Sequence, residues 1–209
     1  MQNKCDRFIE LLNKIQEKKK GDDIQQYFAD VAKYLFEHVA IEAGGKTFTF
    51  AEVEFYYYKE GDFEGPLYNC TYPRTRDVGK FFWHYSGMDI CFESSEEKKY
   101  FGGILIRSIK NENEIIAGPM RCSDVIMNSC NGEMPRLVDH ETKCEIKDPI
   151  TRYGIVADKT HNEAGMKLRY YIKQESWNRI RNNVMVADKT TGRYRIVPQK
   201  TDYYTAKPK

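Results

Sequence analysis

The strongest strand pattern in the chain is the run 47–58, which reads TFTFAEVEFYYY. It is rich in Thr, Phe, Val and Tyr and contains no Gly or Pro, which is typical of a β-strand. Because successive strand side chains point to opposite faces, Glu52 and Glu54 share one face with aromatic residues. The other face is also largely apolar, so the pattern predicts a strand that is buried on both sides and carries two carboxylates.

Another run that is apolar on both faces predicts a buried strand over 103–109, and Arg107 lies inside it. A charged side chain is costly to bury unless it is paired and hydrogen-bonded. Arg107 is therefore expected to contact Glu52 or Glu54. Two interpretations remain open: a buried ion pair that serves only the fold, or a pair that is kept for chemistry.

Apolar residues at helical spacing predict two amphipathic helices ahead of these strands, over 5–20 and about 24–38. The remaining predicted elements are a strand, a turn and a strand within 80–94, a short helix over 122–128, and strands near 143–147 and at 153–157, 168–172, 184–187 and 194–197. This order predicts one α/β (α+β) domain over 1–209, with a helical part at 1–42 and a β-rich part at 43–200. We expect the N-terminal helices to pack on a curved, mainly antiparallel β-sheet.

Composition adds little to this picture of a globular domain. The net charge of +2 and the pI near 8.1 are compatible with a polyanionic partner without arguing for one. The six cysteines are scattered, with no Cys-x-x-Cys pair and no His at zinc spacing, so no metal site is expected. No cofactor is expected either. The charged first residues are unlike a secretory signal, and no apolar run is long enough to span a bilayer. These features predict a reducing, cytoplasmic location without membrane contact.

Several segments, taken in order over roughly residues 30–180, resemble the alkyladenine (3-methyladenine) DNA glycosylase family. The similar segments are Ala51–Tyr56 (beside that family's Val-Glu-Thr-Glu-Ala-Tyr strand), Tyr85–Cys91 (its Tyr-Gly-Met-rich hairpin), Ile104–Ile109 (its Val-Leu-Leu-Arg-Ala-Leu strand), Gly118–Pro119 with Asn128 (its Gly-Pro helix entry), Arg152–Ile155 (its Arg-x-Gly motif) and Lys167–Ile172 followed by Trp177 (its C-terminal strand). The resemblance implies that family's fold, DNA as the partner and a role in base excision repair.

The resemblance also implies roles for individual residues. The family's general base falls on Glu54, the arginine that helps to hold the attacking water falls on Arg107, and the tyrosine that stacks on the flipped base falls on Tyr56. The other candidates for base or substrate binding are Tyr68, Trp83, His84, Tyr85 and Glu93, and the candidate phosphate contacts are Arg74, Arg76 and Arg121. Core packing for the aromatic residues and plain surface exposure for the arginines are the alternatives.

The chain departs from the family at three positions. Residues 57–80 contain no histidine, although the family has one in this loop. The family's base-screening asparagine falls on Glu93, and its duplex-wedging tyrosine falls on Ser86, beside Tyr85. The expected function is cleavage of the N-glycosidic bond of a damaged (alkylated) purine flipped into an aromatic pocket. The alternative is a non-catalytic nucleic-acid or nucleoside-binding member of the same fold.

Overall fold

The structure is a computed structural model that describes residues 3–64, 73–74, 76–112, 114–152, 156–157, 166–173, 183–187 and 194–198. The described helices are α1 (Lys4–Asn13), α2 (Ile24–His38) and α3 (Pro119–Ser129), with a 3-10 turn at Lys14–Glu17 after α1. The described strands are β1 (Val39–Ala43), β2 (Lys46–Lys59), β3 (Phe81–His84), β4 (Gly87–Cys91), β5 (Tyr100–Asn111), β6 (Glu114–Ala117), β7 (Arg136–Asp139), β8 (Val156–Ala157), β9 (Arg169–Tyr171), β10 (Asn183–Ala187) and β11 (Tyr194–Pro198).

The main sheet is built around β2. The strand order is β3-β4-β5-β2-β1-β7, with β6 added to β5 and β9 added to β2, and these pairs are all antiparallel. β5 follows one edge of β2 along nearly its full length, while the other edge pairs first with β1 and then with β9. The register between β2 and β5 shifts between Phe50 and Val53, which is the signature of a β-bulge. β8, β10 and β11 form a separate three-stranded sheet.

α1 and α2 cover one face of the main sheet. α1 and α2 are amphipathic, and their buried residues include Phe8, Leu12 and Phe28. Phe28 packs on Phe55 of β2, with 4.7 Å between ring centroids. Because Tyr57 lies two residues further along β2, it points to the same helix-covered face. The expected class, N-terminal helices packed on a curved and mainly antiparallel sheet, is confirmed.

Some predicted elements differ from those observed. The first helix ends at Asn13 rather than near residue 20, and α2 gives way at Val39 to β1, a strand that was not predicted. β1 begins before residue 43, where the β-rich part was expected to start. The strand expected near 143–147 is reduced to one isolated bridge, between Ile146 and Ile172. Only Val156–Ala157 of the strand expected at 153–157 lies within the described residues.

The turn between β1 and β2 has a specific physical cause. Gly44 and Gly45 have φ values of 56° and 80°, which are left-handed conformations that glycine adopts without steric cost. The backbone also approaches another element here, because a Cβ on Gly44 would lie 1.7 Å from the Ser129 carbonyl oxygen at the end of α3. The hairpin that aligns β1 on β2 therefore depends on Gly44.

None of the described helices is long and apolar enough to cross a lipid bilayer.

Candidate functional site

The face of β2 that points away from α1 and α2 carries a buried ionic cluster centred on Glu54. The Glu54 side chain has no exposed surface. Its Oε2 atom accepts a 2.8 Å hydrogen bond from the Tyr56 hydroxyl and a 3.2 Å hydrogen bond from Nη1 of Arg107. The expected contact between Glu54 and Arg107 is therefore present, and Tyr56 lies beside them.

Glu52 is held by the same arginine and by a second one. Its Oε1 atom accepts a 3.2 Å bond from Nε of Arg107 and also pairs with Arg169, while its Oε2 atom accepts a 2.8 Å bond from the Ser108 hydroxyl. Arg169 reaches this position because β9 pairs with β2 and places it opposite Glu54. Nε of Arg169 lies 3.6 Å from Oε1 of Glu54. The cluster is thus a two-carboxylate, two-guanidinium network formed from three adjacent strands.

Electrostatics fixes the charge of the donors in this network. Burial acts against the charged form of Arg107, but the carboxylates of Glu54 and Glu52 outweigh it and raise the pKa of Arg107. Burial, reinforced by the charge of Glu54, raises the pKa of Tyr56 well above its usual value of 10.0. Arg107 therefore stays cationic and Tyr56 stays neutral, so both donate hydrogen bonds to Glu54 across the physiological pH range.

The guanidinium group of Arg152 packs over the ring of Tyr56. Its guanidinium carbon lies 4.9 Å from the centroid of the Tyr56 ring, within cation–π range, and its Nη1 atom donates a 3.3 Å bond to the carbonyl oxygen of Phe55. The Arg152 side chain has no exposed surface, and its Nε and Nη2 atoms have no hydrogen-bond partner among the described residues. A buried guanidinium with two unsatisfied donors is energetically costly and therefore calls for an explanation.

A second ionic group lies on the same face, next to Tyr56. Arg74 pairs with Asp89, which is also 3.2 Å from Nε2 of His84, and Nδ1 of His84 is 2.9 Å from the Ser86 hydroxyl. The group sits over Gly103, the cross-strand partner of Tyr56, where a Cβ would lie 3.3 Å from Nε of Arg74. From the sequence, Arg74 was a candidate phosphate contact. Instead it is buried and its charge is matched by Asp89.

Among the described residues, the other predicted site residues lie away from the Glu54 cluster. Trp83 points to the helix-covered face and lines a cavity of about 590 Å³ with Cys5 and Ile9, which belong to α1. Glu93 is half-buried in the loop after β4, where its negative charge helps to raise the pKa of Tyr100, second to burial.

Three predicted residues remain at the surface of the described part, and one lies outside it. Tyr85 is 87% exposed at the tip of the β3–β4 hairpin. Arg76 and Arg121 are exposed, and the cavities lined by Arg76 do not include Arg121. Tyr68 lies outside the described residues.

Three residues of the ionic clusters were missed as site candidates. Arg169 shows the signal that identified Arg107, a charge inside an otherwise apolar strand. Asp89 shows the same signal in β4. Arg152 lies between Thr151 and Tyr153 with no periodic pattern around it, so its burial could not be foreseen from the sequence.

The chemical capacity of the site follows from these contacts. A buried carboxylate that is surrounded by donors can accept a proton from water or bind a cationic group, and the neighbouring aromatic ring can contact a flat ligand. Within the described ranges, no group of three or more His, Cys, Asp or Glu side chains is arranged to hold a metal ion.

Comparison of the chain with models of known protein families, with curated proteins and with solved structures found no match.

Proposed function

We propose that the protein hydrolyses the N-glycosidic bond of a damaged (alkylated) purine in DNA, as part of base excision repair. The observation that carries this proposal is the buried Glu54 carboxylate, which accepts hydrogen bonds from both Arg107 and Tyr56. A base for water must be an acceptor at neutral pH, and both donors favour that state of Glu54.

The reaction assigns one step to each group. The bond between C1′ of the sugar and the purine nitrogen breaks with its electron pair, which leaves with the base. A water oxygen bonds to C1′, and Glu54 takes the proton that this water loses. A purine alkylated at N3 or N7 carries a positive charge before cleavage and departs neutral, so no general acid is needed for this leaving group. Arg107, whose side chain is 14% exposed, lies where it can hold the water beside Glu54.

Two surface features support DNA as the partner. Tyr85 projects from a hairpin tip and is the kind of exposed aromatic side chain that can wedge between stacked bases. Arg76 and Arg121 are exposed cations that can contact phosphate groups. The base itself must leave the duplex before Glu54 can act on its glycosidic bond.

A second candidate function is binding without catalysis. The observation that favours it is that Glu54 has no exposed surface and that Tyr56 already occupies its Oε2 atom. In this case Glu54 and Arg107 hold the fold, and the protein binds a nucleic acid or nucleoside that it does not cleave.

One assay separates the two functions. Duplex and single-stranded oligonucleotides, each with one damaged purine, are incubated with the protein, and abasic sites are scored by alkaline strand cleavage. We expect wild type to release the base and Glu54→Gln to lose about 10²-fold or more in rate while still binding the oligonucleotide. Glu42→Gln is the matched control, because it removes a carboxylate of β1 that pairs with the exposed Arg136. Binding without base release by wild type would favour the second candidate.

A further inference from the structure

The unsatisfied part of Arg152 is one complete edge of its guanidinium. Nε and Nη2 lie side by side on the same edge, and together they match two acceptor oxygens of a carboxylate or phosphate. In Arg152 this edge has no hydrogen-bond partner among the described residues, although the side chain is fully buried. The remaining nitrogen, Nη1, is occupied by the carbonyl oxygen of Phe55.

Other arginines of this chain show what normally fills such an edge. Arg74 directs Nε and Nη2 to Asp89, Arg136 directs them to Glu42, and Arg169 directs them to Glu52. In each of these arginines a carboxylate supplies the acceptor. Arg152 is just as buried as Arg169, yet no described carboxylate contacts it.

The charge of the surrounding cluster points to an anion as the missing partner. Among the described residues, Glu52 and Glu54 face Arg107 and Arg169, which balances two negative charges against two positive ones. Arg152 adds a further positive charge above Tyr56. An unpaired cation in a buried site costs several kcal/mol, and a bound anion removes that cost.

We infer that the Nε/Nη2 edge of Arg152 is an oxyanion-binding site that takes a phosphate group of the bound nucleotide. The assignment of the anion as a phosphate rests on the proposed function, in which the ligand is DNA. The inference that some oxyanion binds here does not depend on that function. The site is next to Tyr56, which is 8% exposed, and the cluster also reaches solvent through Arg107. A phosphate bound here neutralises Arg152, so a cationic alkylated purine can enter the site without meeting an unmatched positive charge.

The test is the thermal stability of the purified chain at constant ionic strength, in chloride, inorganic phosphate and acetate. Separate samples contain deoxyadenosine or its 5′-monophosphate. Phosphate strengthens apolar burial in any protein, so the informative quantity is the difference between variants. At about ten times the dissociation constant, we expect phosphate to raise the Tm of wild type by about 3–6 °C more than that of Arg152→Met. The monophosphate should also raise the wild-type Tm, and the nucleoside should not.

The controls separate a ligand site from a structural role. Arg152→Met removes an unpaired charge, so its Tm without phosphate should match or exceed that of wild type, whereas a purely structural Arg152 would make this variant less stable. Arg152→Lys keeps the charge without the paired donors and should lose most of the phosphate effect. Arg136→Met, which removes an exposed arginine, should keep it.

Each result has a defined meaning. An equal phosphate effect in wild type and Arg152→Met overturns the site, and an effect of acetate as large as that of phosphate overturns its assignment to phosphate. If Arg152→Met does not fold, the comparison of Arg152→Lys with wild type decides. If the Arg152 variants release the base as fast as wild type, this inference is overturned and the proposed function is not. If the protein binds phosphate through Arg152 but releases no base, only the proposed function is overturned.

Discussion

The hydroxyl of Tyr56 donates a 2.8 Å hydrogen bond to Oε2 of Glu54, two residues earlier on the same strand. This contact joins the aromatic ring beneath Arg152 to the carboxylate that Arg107 also holds. Any ligand group that reaches Tyr56 is thereby placed next to the proposed base. The same contact limits access, because water must compete with a phenol for Oε2.

The first prediction concerns the Tyr56 hydroxyl. Tyr56→Phe removes one donor to a buried carboxylate, so it should lower the free energy of unfolding by about 1.5–3 kcal/mol. Urea denaturation followed by circular dichroism measures this change. Tyr57→Phe is the matched control on the helix-covered face, because the Tyr57 hydroxyl lies 3.5 Å from the Ile15 carbonyl oxygen, at the limit of a hydrogen bond. Equal losses in the two variants would contradict the prediction.

The second prediction concerns Arg107. Arg107→Met leaves Glu52 and Glu54 with less positive charge at a buried site, so it should cost about 3–5 kcal/mol of unfolding free energy. Arg107→Lys keeps the charge but cannot direct two nitrogens to two carboxylates, so an intermediate loss is expected. Equilibrium denaturation of wild type and the two variants measures their free energies of unfolding. A methionine variant as stable as wild type would show that the ion pairs contribute nothing to the fold.

Much of the architecture could be predicted from local patterns. α2 was predicted with its observed bounds, because Asp23 caps it and its apolar residues repeat at helical spacing. The two strands that carry Glu54 and Arg107 were also predicted, since each is apolar on both faces. Their contact followed from one physical argument, the cost of leaving a buried charge unpaired.

The parts that were missed depend on long-range pairing. β1 continues directly from α2, and the helical spacing of apolar residues runs on to Val39; pairing with β2 and β7 selects the strand. The burial of Arg74 and Arg152 likewise depends on residues far away in the chain, Asp89 and Phe55, whose positions no local pattern specifies. Local propensity is outweighed by tertiary contacts at these sites.

The third prediction is a loss of stability at alkaline pH. Burial raises the pKa of the Cys91 and Cys122 thiols from 9.0 to about 12, and it raises the pKa of Tyr56 above 10.0. Above pH 9 the unfolded chain therefore releases protons that the folded chain retains. Stability from these groups is complete below pH 9 and falls as the pH rises towards 12, by up to about 1.4 kcal/mol per pH unit for each group.

Urea unfolding at a series of pH values from 7 to 11 measures this decline. Cys91→Ala removes one of the titrating groups, so its stability should fall less steeply between pH 9 and 11 than that of wild type. A free energy of unfolding that stays constant between pH 9 and 11 would show that the folded chain does not retain these protons.

The fourth prediction compares two adjacent glycines of β5. A Cβ on Gly102 would lie 2.3 Å from the Tyr56 carbonyl oxygen, which is backbone and cannot move without breaking the pairing of β2 and β5. A Cβ on Gly103 would meet the Ile90 carbonyl oxygen at 3.1 Å, Asp89 Cβ at 3.2 Å and Arg74 Nε at 3.3 Å, contacts that are tight but need only small shifts of the neighbouring atoms. Gly102→Ala should cost more than about 3 kcal/mol and Gly103→Ala about 1–2 kcal/mol. Thermal denaturation of both variants measures the two losses. A larger loss in Gly103→Ala than in Gly102→Ala would contradict the prediction.

The last prediction concerns the hairpin tip. Tyr85 is 87% exposed, so replacing it should not change the stability of the fold. If the side chain wedges into duplex DNA, Tyr85→Ala should weaken binding to a duplex with a damaged purine by about 10-fold or more while leaving single-stranded binding within a few-fold of wild type, because only the duplex must be unstacked. Fluorescence anisotropy with labelled oligonucleotides measures both affinities. Met134→Ala provides the control, since Met134 is also an exposed large side chain, 75% accessible, but lies in the segment before β7. If Tyr85→Ala weakens binding to duplex and single-stranded oligonucleotides equally, Tyr85 contacts DNA without wedging between stacked bases.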